Sequence, residues 1–223
     1  KAIGYDAIQV SAFGEYRIAW LAETLKKLDL EVCATHTPIE SIINETEKII
    51  EEHKLLRCDT IGLGWFKTNC KVKADELLKV LQPALVKIKN AGLKFVYHNH
   101  DHEFAHIDKD YTVMDYLRDN TDPKLFSFLP DFYWIRFAGI EPLNFIETFQ
   151  GRFNIVHFKD LKYEDGEAKM TEIFNGEIDY LSIYHKLQEL GVKWAVVEQD
   201  ICEKDPFLSL QISYQNIKAR NMF

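Results

Sequence analysis

Apolar residues in this chain form two kinds of stretch that alternate from one end to the other. Short apolar runs at 7–10, 30–34, 60–64, 95–98, 126–129, 154–158 and 194–197 read as strands. Between them, apolar residues recur at helical spacing. Ile18, Trp20, Leu21, Leu25 and Leu28 mark a helix over 16–28, and Ile39, Ile42, Ile43, Ile49, Ile50 and Leu56 mark one over 39–56 that starts after Pro38. Leu77, Leu78, Leu81, Leu85 and Ile88 define a helix over 72–91 that Gly92 stops and that Pro83 is expected to kink or break. Further helices are predicted near 111–120, 141–150, 179–190 and 206–218, and a long polar loop after the 154–158 strand.

Seven strands, each followed by a helix, imply parallel pairing with right-handed crossovers. Uninterrupted apolar strands fit a sheet covered on both faces. Lys1-Ala2-Ile3-Gly4 reads as the end of a helix closed by glycine, so one strand and most of one helix are expected to precede residue 1. Counting that unit gives eight, the number that closes a (β/α)8 TIM barrel, here one N-terminally incomplete domain over 1–223. The competing architecture is an open doubly wound sheet, but no G-x-G-x-x-G follows a strand.

Composition changes this picture little. With 223 residues, 47% hydrophobic and 28% charged, the chain is an ordinary globular one. A net charge of −8 argues against nucleic acid as a partner, and no apolar run is long enough for a membrane. Cys33, Cys58, Cys70 and Cys202 are scattered, without a C-x-x-C pair, and read as reduced thiols. A cytoplasmic location is the expectation, with a signal peptide left open by the missing start.

The candidate chemistry lies where strands end. His98, His100, His102 and His106 are half of the eight histidines, and His98 and His100 leave their strand on the same face. Listing the C-terminal strand ends gives His36, Trp65, His98 with His100, Asp131, His157 with Lys159, and Glu198 with Asp200. The last four strands thus each end in a side chain able to hold a divalent ion. Mixed nitrogen and carboxylate donors suit manganese, zinc, iron, cobalt or magnesium, and the lack of thiolates argues against copper(I) or iron–sulfur. Asp131 and Glu198 have the alternative of capping helices, and His157 of a neutral core role. Lys159 has two options, a substrate oxygen or a pairing with Asp131 or Glu198. His36 and Trp65 line a pocket or pack in the core. His53 and His185 fall in helices and are expected to be solvated.

The motifs F-V-Y-H-N-H-D-H-E-F, D-F-Y-W followed by A-G, V-H-F-K-D and V-V-E-Q-D together resemble the sugar phosphate isomerase/epimerase group of xylose-isomerase-like barrels. Inosose dehydratases and ketose 3-epimerases are relatives of that group, and endonuclease IV a distant one. The resemblance spans nearly the whole chain. It implies one divalent metal held by His98, Asp131, His157 and Glu198, with His100 competing with His98. Epimerases of the group carry glutamate at the first of these positions and use a carboxylate on each side of the sugar. Histidine here leaves Glu198 as the base and His98, His100 or Glu103 as the opposite group. Pro130 is a second departure, standing where an aliphatic residue is usual.

The resemblance therefore implies an isomerase or epimerase acting on a sugar or keto-sugar through an enediolate. Glu198, His98 and Lys159 would be catalytic, and His36, Trp65, His100, Glu103 and Trp134 would contact substrate. A dehydratase acting on a cyclitol or keto-glycoside would use the same proton abstraction. A silent sugar-binding barrel remains the third reading, and the net charge of −8 disfavours a nuclease. No glycine-rich phosphate cradle follows the last two strands, so an unphosphorylated carbohydrate is expected. Barrels of this kind often pair as homodimers, and no stretch here marks an interface.

Overall fold

In the computed structural model, which describes residues 1–14 and 16–223, strands and helices alternate as the apolar pattern predicts. The chain falls into two units, one of Lys1 with residues 5–129 and one of residues 2–4 with 130–223.

The first unit contains β1 (Ala7–Val10), α1 (Ile18–Leu28), β2 (Glu31–His36), α2 (Ile39–Asn44), α3 (Thr46–Leu56), β3 (Thr60–Leu63), α4 (Lys71–Asn90), β4 (Lys94–His98), the short β5 (His106–Asp108) and β6 (Tyr111–Thr112), α5 (Val113–Asp119) and β7 (Ser127–Leu129). Its main sheet has the order β1-β2-β3-β4-β7, parallel throughout. Each parallel step is made by a helical crossover, which removes one face of the sheet from water. Leu21 and Leu25 of α1 pack with Val10, Val32, Leu56 and Cys58 in one buried cluster, so the helix's apolar stripe is what fixes it to the sheet. The pairing His98↔Leu129 sets the ends of β4 and β7 level.

The second unit contains α6 (Phe132–Phe137), α7 (Pro142–Thr148), β8 (Ile155–Phe158), β9 (Asp160–Glu164), β10 (Glu167–Thr171), α8 (Tyr180–Glu189), β11 (Trp194–Val197) and α9 (Pro206–Lys218). β8 and β11 pair in parallel, with Val196 opposite His157.

Three expectations need correction. The predicted single helix over 39–56 is two, because Glu45 adopts φ −126°, ψ 31°. There the Thr46 hydroxyl donates to the Ile42 carbonyl at 2.7 Å, the kind of local bond that competes with helix continuation. Conversely, α4 runs unbroken through Pro83. Leu77, Leu81, Ala84, Leu85 and Ile88 are all buried along it, while Lys79, whose carbonyl loses its partner to the proline, is exposed to water. Finally, the expected polar loop after β8 is an antiparallel hairpin of β9 and β10. Its two-residue turn is Asp165-Gly166, with φ of 53° and 81°, the left-handed pair such turns demand.

Candidate active site

The site in the second unit is assembled from the ends of β8 and β11 and from the start of α6. Asp131 precedes α6 and has two jobs. Its Oδ1 accepts the backbone N–H groups of Tyr133 (2.9 Å) and Trp134 (3.3 Å), capping the helix. Its Oδ2 faces the other way, 3.6 Å from His157 Nδ1 and 3.0 Å from Lys159 Nζ. The His157 amide donates to the Pro130 carbonyl at 2.8 Å, which holds the strand end beside Asp131. Glu198 follows β11, its amide donating to the Phe158 carbonyl at 3.0 Å. Its Oε2 lies 2.9 Å from His157 Nδ1 and 2.8 Å from Lys159 Nζ.

Burial makes these contacts strong, because charges taken out of water are poorly screened. Asp131 and His157 are completely buried, whereas the Glu198 side chain keeps 24% exposure. Burial alone would lower the basicity of His157, but Glu198 and then Asp131 outweigh it and push the imidazole up to about 9. Lys159 is held charged well above its ordinary range: burial opposes this, and Asp131, Glu198 and Asp200 overcome it. Asp200, 2.9 Å from Nζ, is half-exposed. The Trp134 ring lies 5.6 Å from the same ammonium, within cation–π range.

The donor set fits a divalent ion. Asp131, His157 and Glu198 each present a ligand atom within 4.8 Å of the others, two carboxylates and an imidazole with no thiolate among them. Lys159 has in Asp200 a carboxylate of its own outside that set.

Two residues that the strand-end list does not capture hold Lys159 in place. The Tyr180 hydroxyl accepts the Lys159 N–H and donates to the Lys159 carbonyl, both at 2.8 Å. Asp160 is buried and takes four backbone amides: Leu161 (2.8 Å), Phe174 (2.9 Å), Gly176 (3.1 Å) and Ile178 (3.3 Å). Burial pushes its carboxyl up to about 6 even against those four donors. A Cβ at Gly176 would sit 2.3 Å from Asp160 Oδ1, so glycine is required there. Only the adjacency of Asp160 to Lys159 in V-H-F-K-D hints at this in the sequence.

The histidine stretch of the first unit sorts into different environments. His98 is buried at the end of β4, its ring 5.1 Å from His36 and 4.8 Å from His100. Glu103 is fully buried, accepting the Tyr97 hydroxyl (2.5 Å) and the His100 amide (2.9 Å). Burial raises its carboxyl above the ordinary range. His102 Nε2 lies 2.9 Å from the Phe66 carbonyl, which can only accept, so Nε2 carries the proton. Glu103 thus ties His100, through its amide, to His102, whose Nε2 lies 3.2 Å from Glu103 Oε1. His106 is exposed on β5. His36 lines a cavity with Trp65, and Ser11 Oγ lies 3.1 Å from its Nδ1. His53 departs from the expectation of a solvated helix position. It is buried, bonded to Thr35 Oγ1 (2.9 Å) and the Ile49 carbonyl (2.8 Å), while His185 is exposed as expected.

The sequence profile described as "Xylose isomerase-like TIM barrel" matches residues 1–207. The chain belongs to that family. Curated relatives include inosose dehydratases of Lacticaseibacillus casei (27% identical over 139 residues, 54% of this chain and 46% of that protein) and Bacillus anthracis (37% over 145 residues, 58% and 46%). The chain spans about half the length of the curated relatives it matches. Among solved structures, a sugar phosphate isomerase/epimerase from Parabacteroides distasonis superposes with a TM-score of 0.83 at 19% identity, covering 98% of this chain and 87% of that one. A xylose isomerase domain protein from Planctomyces limnophilus gives 0.77 at 13% identity, covering 99% and 90%. These likenesses support the barrel fold of the family, a parallel sheet with alternating helices. Among the described residues, no helix is long and apolar enough to cross a membrane.

Proposed function

We propose that this protein is a divalent-metal-dependent isomerase or epimerase of a sugar or keto-sugar, working by removal of a proton beside a carbonyl. The observation that carries the reading is the unequal exposure within the carboxylate–imidazole set. Asp131 and His157 are sealed, and Glu198 alone keeps a solvent-facing side. A substrate entering from solvent therefore meets Glu198 first. His98 is the proposed fourth ligand, with His100 as its competitor.

When bound, a divalent ion would stabilise the negative charge that develops on adjacent substrate oxygens as the proton leaves. Glu198 is the base that takes that proton, since within the set its side chain is the one open to solvent. Lys159 holds a formal positive charge beside the same carboxylate and would steady a substrate oxygen. Whichever of His98 and His100 does not hold the ion, or Glu103, is the group that returns a proton.

The dehydratase reading has a specific support, the inosose dehydratases among the relatives. Proton abstraction is the same there, but a hydroxyl is then expelled. Incubating the metal-loaded protein in D2O with ketoses, inososes and keto-glucosides, followed by NMR, separates the two. Deuterium entering a carbon next to the carbonyl, abolished in Glu198→Gln, is the expected result. Product that has also lost water would assign the dehydratase, and no exchange on any carbonyl substrate would refute both.

A further inference from the structure

Within the first unit, beyond the ends of β2 and β3, lies a cavity of about 690 Å³. That is within the range that encloses a ligand larger than a single sugar ring. Its walls are mainly apolar, from Ala12, Pro38, Ile39, Trp65 and Phe66. His36 lines it as well, and the His36 ring lies 5.1 Å from that of His98. Gly64 keeps that wall thin: a Cβ there would meet the His36 ring at 2.7 Å.

Trp65 is 60% exposed, unusual for so large an apolar surface, and it faces this cavity. The ring lies 6.4 Å from that of His102, which is itself bonded to the Phe66 carbonyl. The charged groups at the cavity, Lys67, Lys73, Glu40 and Glu76, cancel in sign, and Lys73 is paired with Glu76 at 2.7 Å. An anion gains nothing net from such a rim. An uncharged ring with one flat apolar face fits it, lying on Trp65 with polar rim groups around its edge.

We propose that this cavity is a second ring subsite, and that the substrate is a neutral glycoside whose non-reacting ring lies on Trp65 while the reacting sugar is directed past His36 toward His98. The inference rests on the reading of His98 as part of the reaction centre. The subsite itself can be tested without that reading.

Calorimetric binding of four neutral or acidic probes to wild type, Trp65→Ala and Trp65→Phe decides it, using both metal-loaded and chelator-treated protein. Glucose supplies one ring, cellobiose a sugar pair, and 4-nitrophenyl β-glucoside and 4-nitrophenyl β-glucuronide an aromatic second ring. The expected result is that a two-ring neutral probe binds about 3- to 10-fold tighter than glucose. That advantage should vanish in Trp65→Ala, persist in Trp65→Phe, and survive chelation. Cellobiose sharing it would make the second ring a sugar, and its restriction to the aryl glucoside would make it aromatic. Glucose binding as tightly as every two-ring probe, an advantage untouched by Trp65→Ala, or no two-ring binding at all would overturn the subsite. A glucuronide clearly tighter than the glucoside would overturn its neutrality. Loss of metal binding in the wild type, with the two-ring advantage retained, would instead strike only the reaction centre. Because Trp65 is exposed, both variants should melt as the wild type does, which excludes misfolding as the cause.

Discussion

Lys159 shows how much of this site depends on single buried groups. Its ammonium is almost completely enclosed and contacts three carboxylates. Replacing it with methionine would leave three carboxylates with His157 as the one cation among them, and a one-sided break of a buried ion pair costs about 3–5 kcal/mol. Lys159→Met should therefore be markedly destabilised in denaturant, and less so once a divalent ion is added to neutralise the carboxylates. Asp160→Asn should lose about 1–3 kcal/mol by the same measurement, because one of its two acceptor oxygens becomes an N–H2 facing backbone donors. The sequence displays Asp131, His157, Lys159 and Glu198 plainly, since each stands at a strand end. It does not display what Asp160 does, because the amides it binds come from a loop extending to residue 178. His53 misleads for a related reason: the Thr35 hydroxyl that makes its burial tolerable is 18 positions away.

Among the elements, the hairpin of β9 and β10 was readable in principle. Asp-Gly between alternating residues is a strong short-range signal for a two-residue turn, and the polar composition of the stretch obscures it. Gly166, at φ 81°, is the position that needs glycine, and Gly166→Ala should destabilise the protein by about 1–2 kcal/mol without changing its metal content. The break at Glu45 and the continuity through Pro83 show the opposite limit. Local propensity marks both places, but burial of the neighbouring apolar face decides the outcome.

Glu172, just after β10, ties that hairpin to α9. It is 3% exposed and accepts from Ser209 Oγ at 2.9 Å and Lys204 Nζ at 3.1 Å. Burial would raise its carboxyl, but its own backbone amide, Lys204, Ser209 and Asn175 bring it down to about 2, below its ordinary 4.5. A depressed carboxylate stabilises the fold above its unfolded value and ceases to do so as pH falls through the folded one. Wild type should thus exceed Glu172→Gln by about 1–3 kcal/mol in urea at pH 7, and the gap should narrow as the pH is lowered from about 4.5 toward 2.

At the scale of the whole molecule, alternation of seven apolar strands with helices is enough to indicate the family fold, and the profile match over residues 1–207 agrees with it. Composition contributes only exclusions at this scale. What the periodicity cannot convey is which loop side chains surround a substrate, and that is where isomerisation and dehydration diverge. A resident ion would also stabilise the entire chain, since ligand at 100 times its dissociation constant adds about 2.7 kcal/mol. Added manganese, cobalt or zinc should raise the melting temperature of the chelator-treated protein, and should do so far less in Glu198→Gln.

Elemental analysis of the purified protein, with Glu198→Gln, His157→Ala and His98→Ala alongside, tests the metal centre most directly. About one divalent ion per chain is expected in the wild type, with the ion lost or much weakened in all three variants. Retention of the ion in His98→Ala alone would remove His98 from the ligand set. A wild-type protein that carries no ion and takes up none on addition would contradict the metal-dependent reaction altogether.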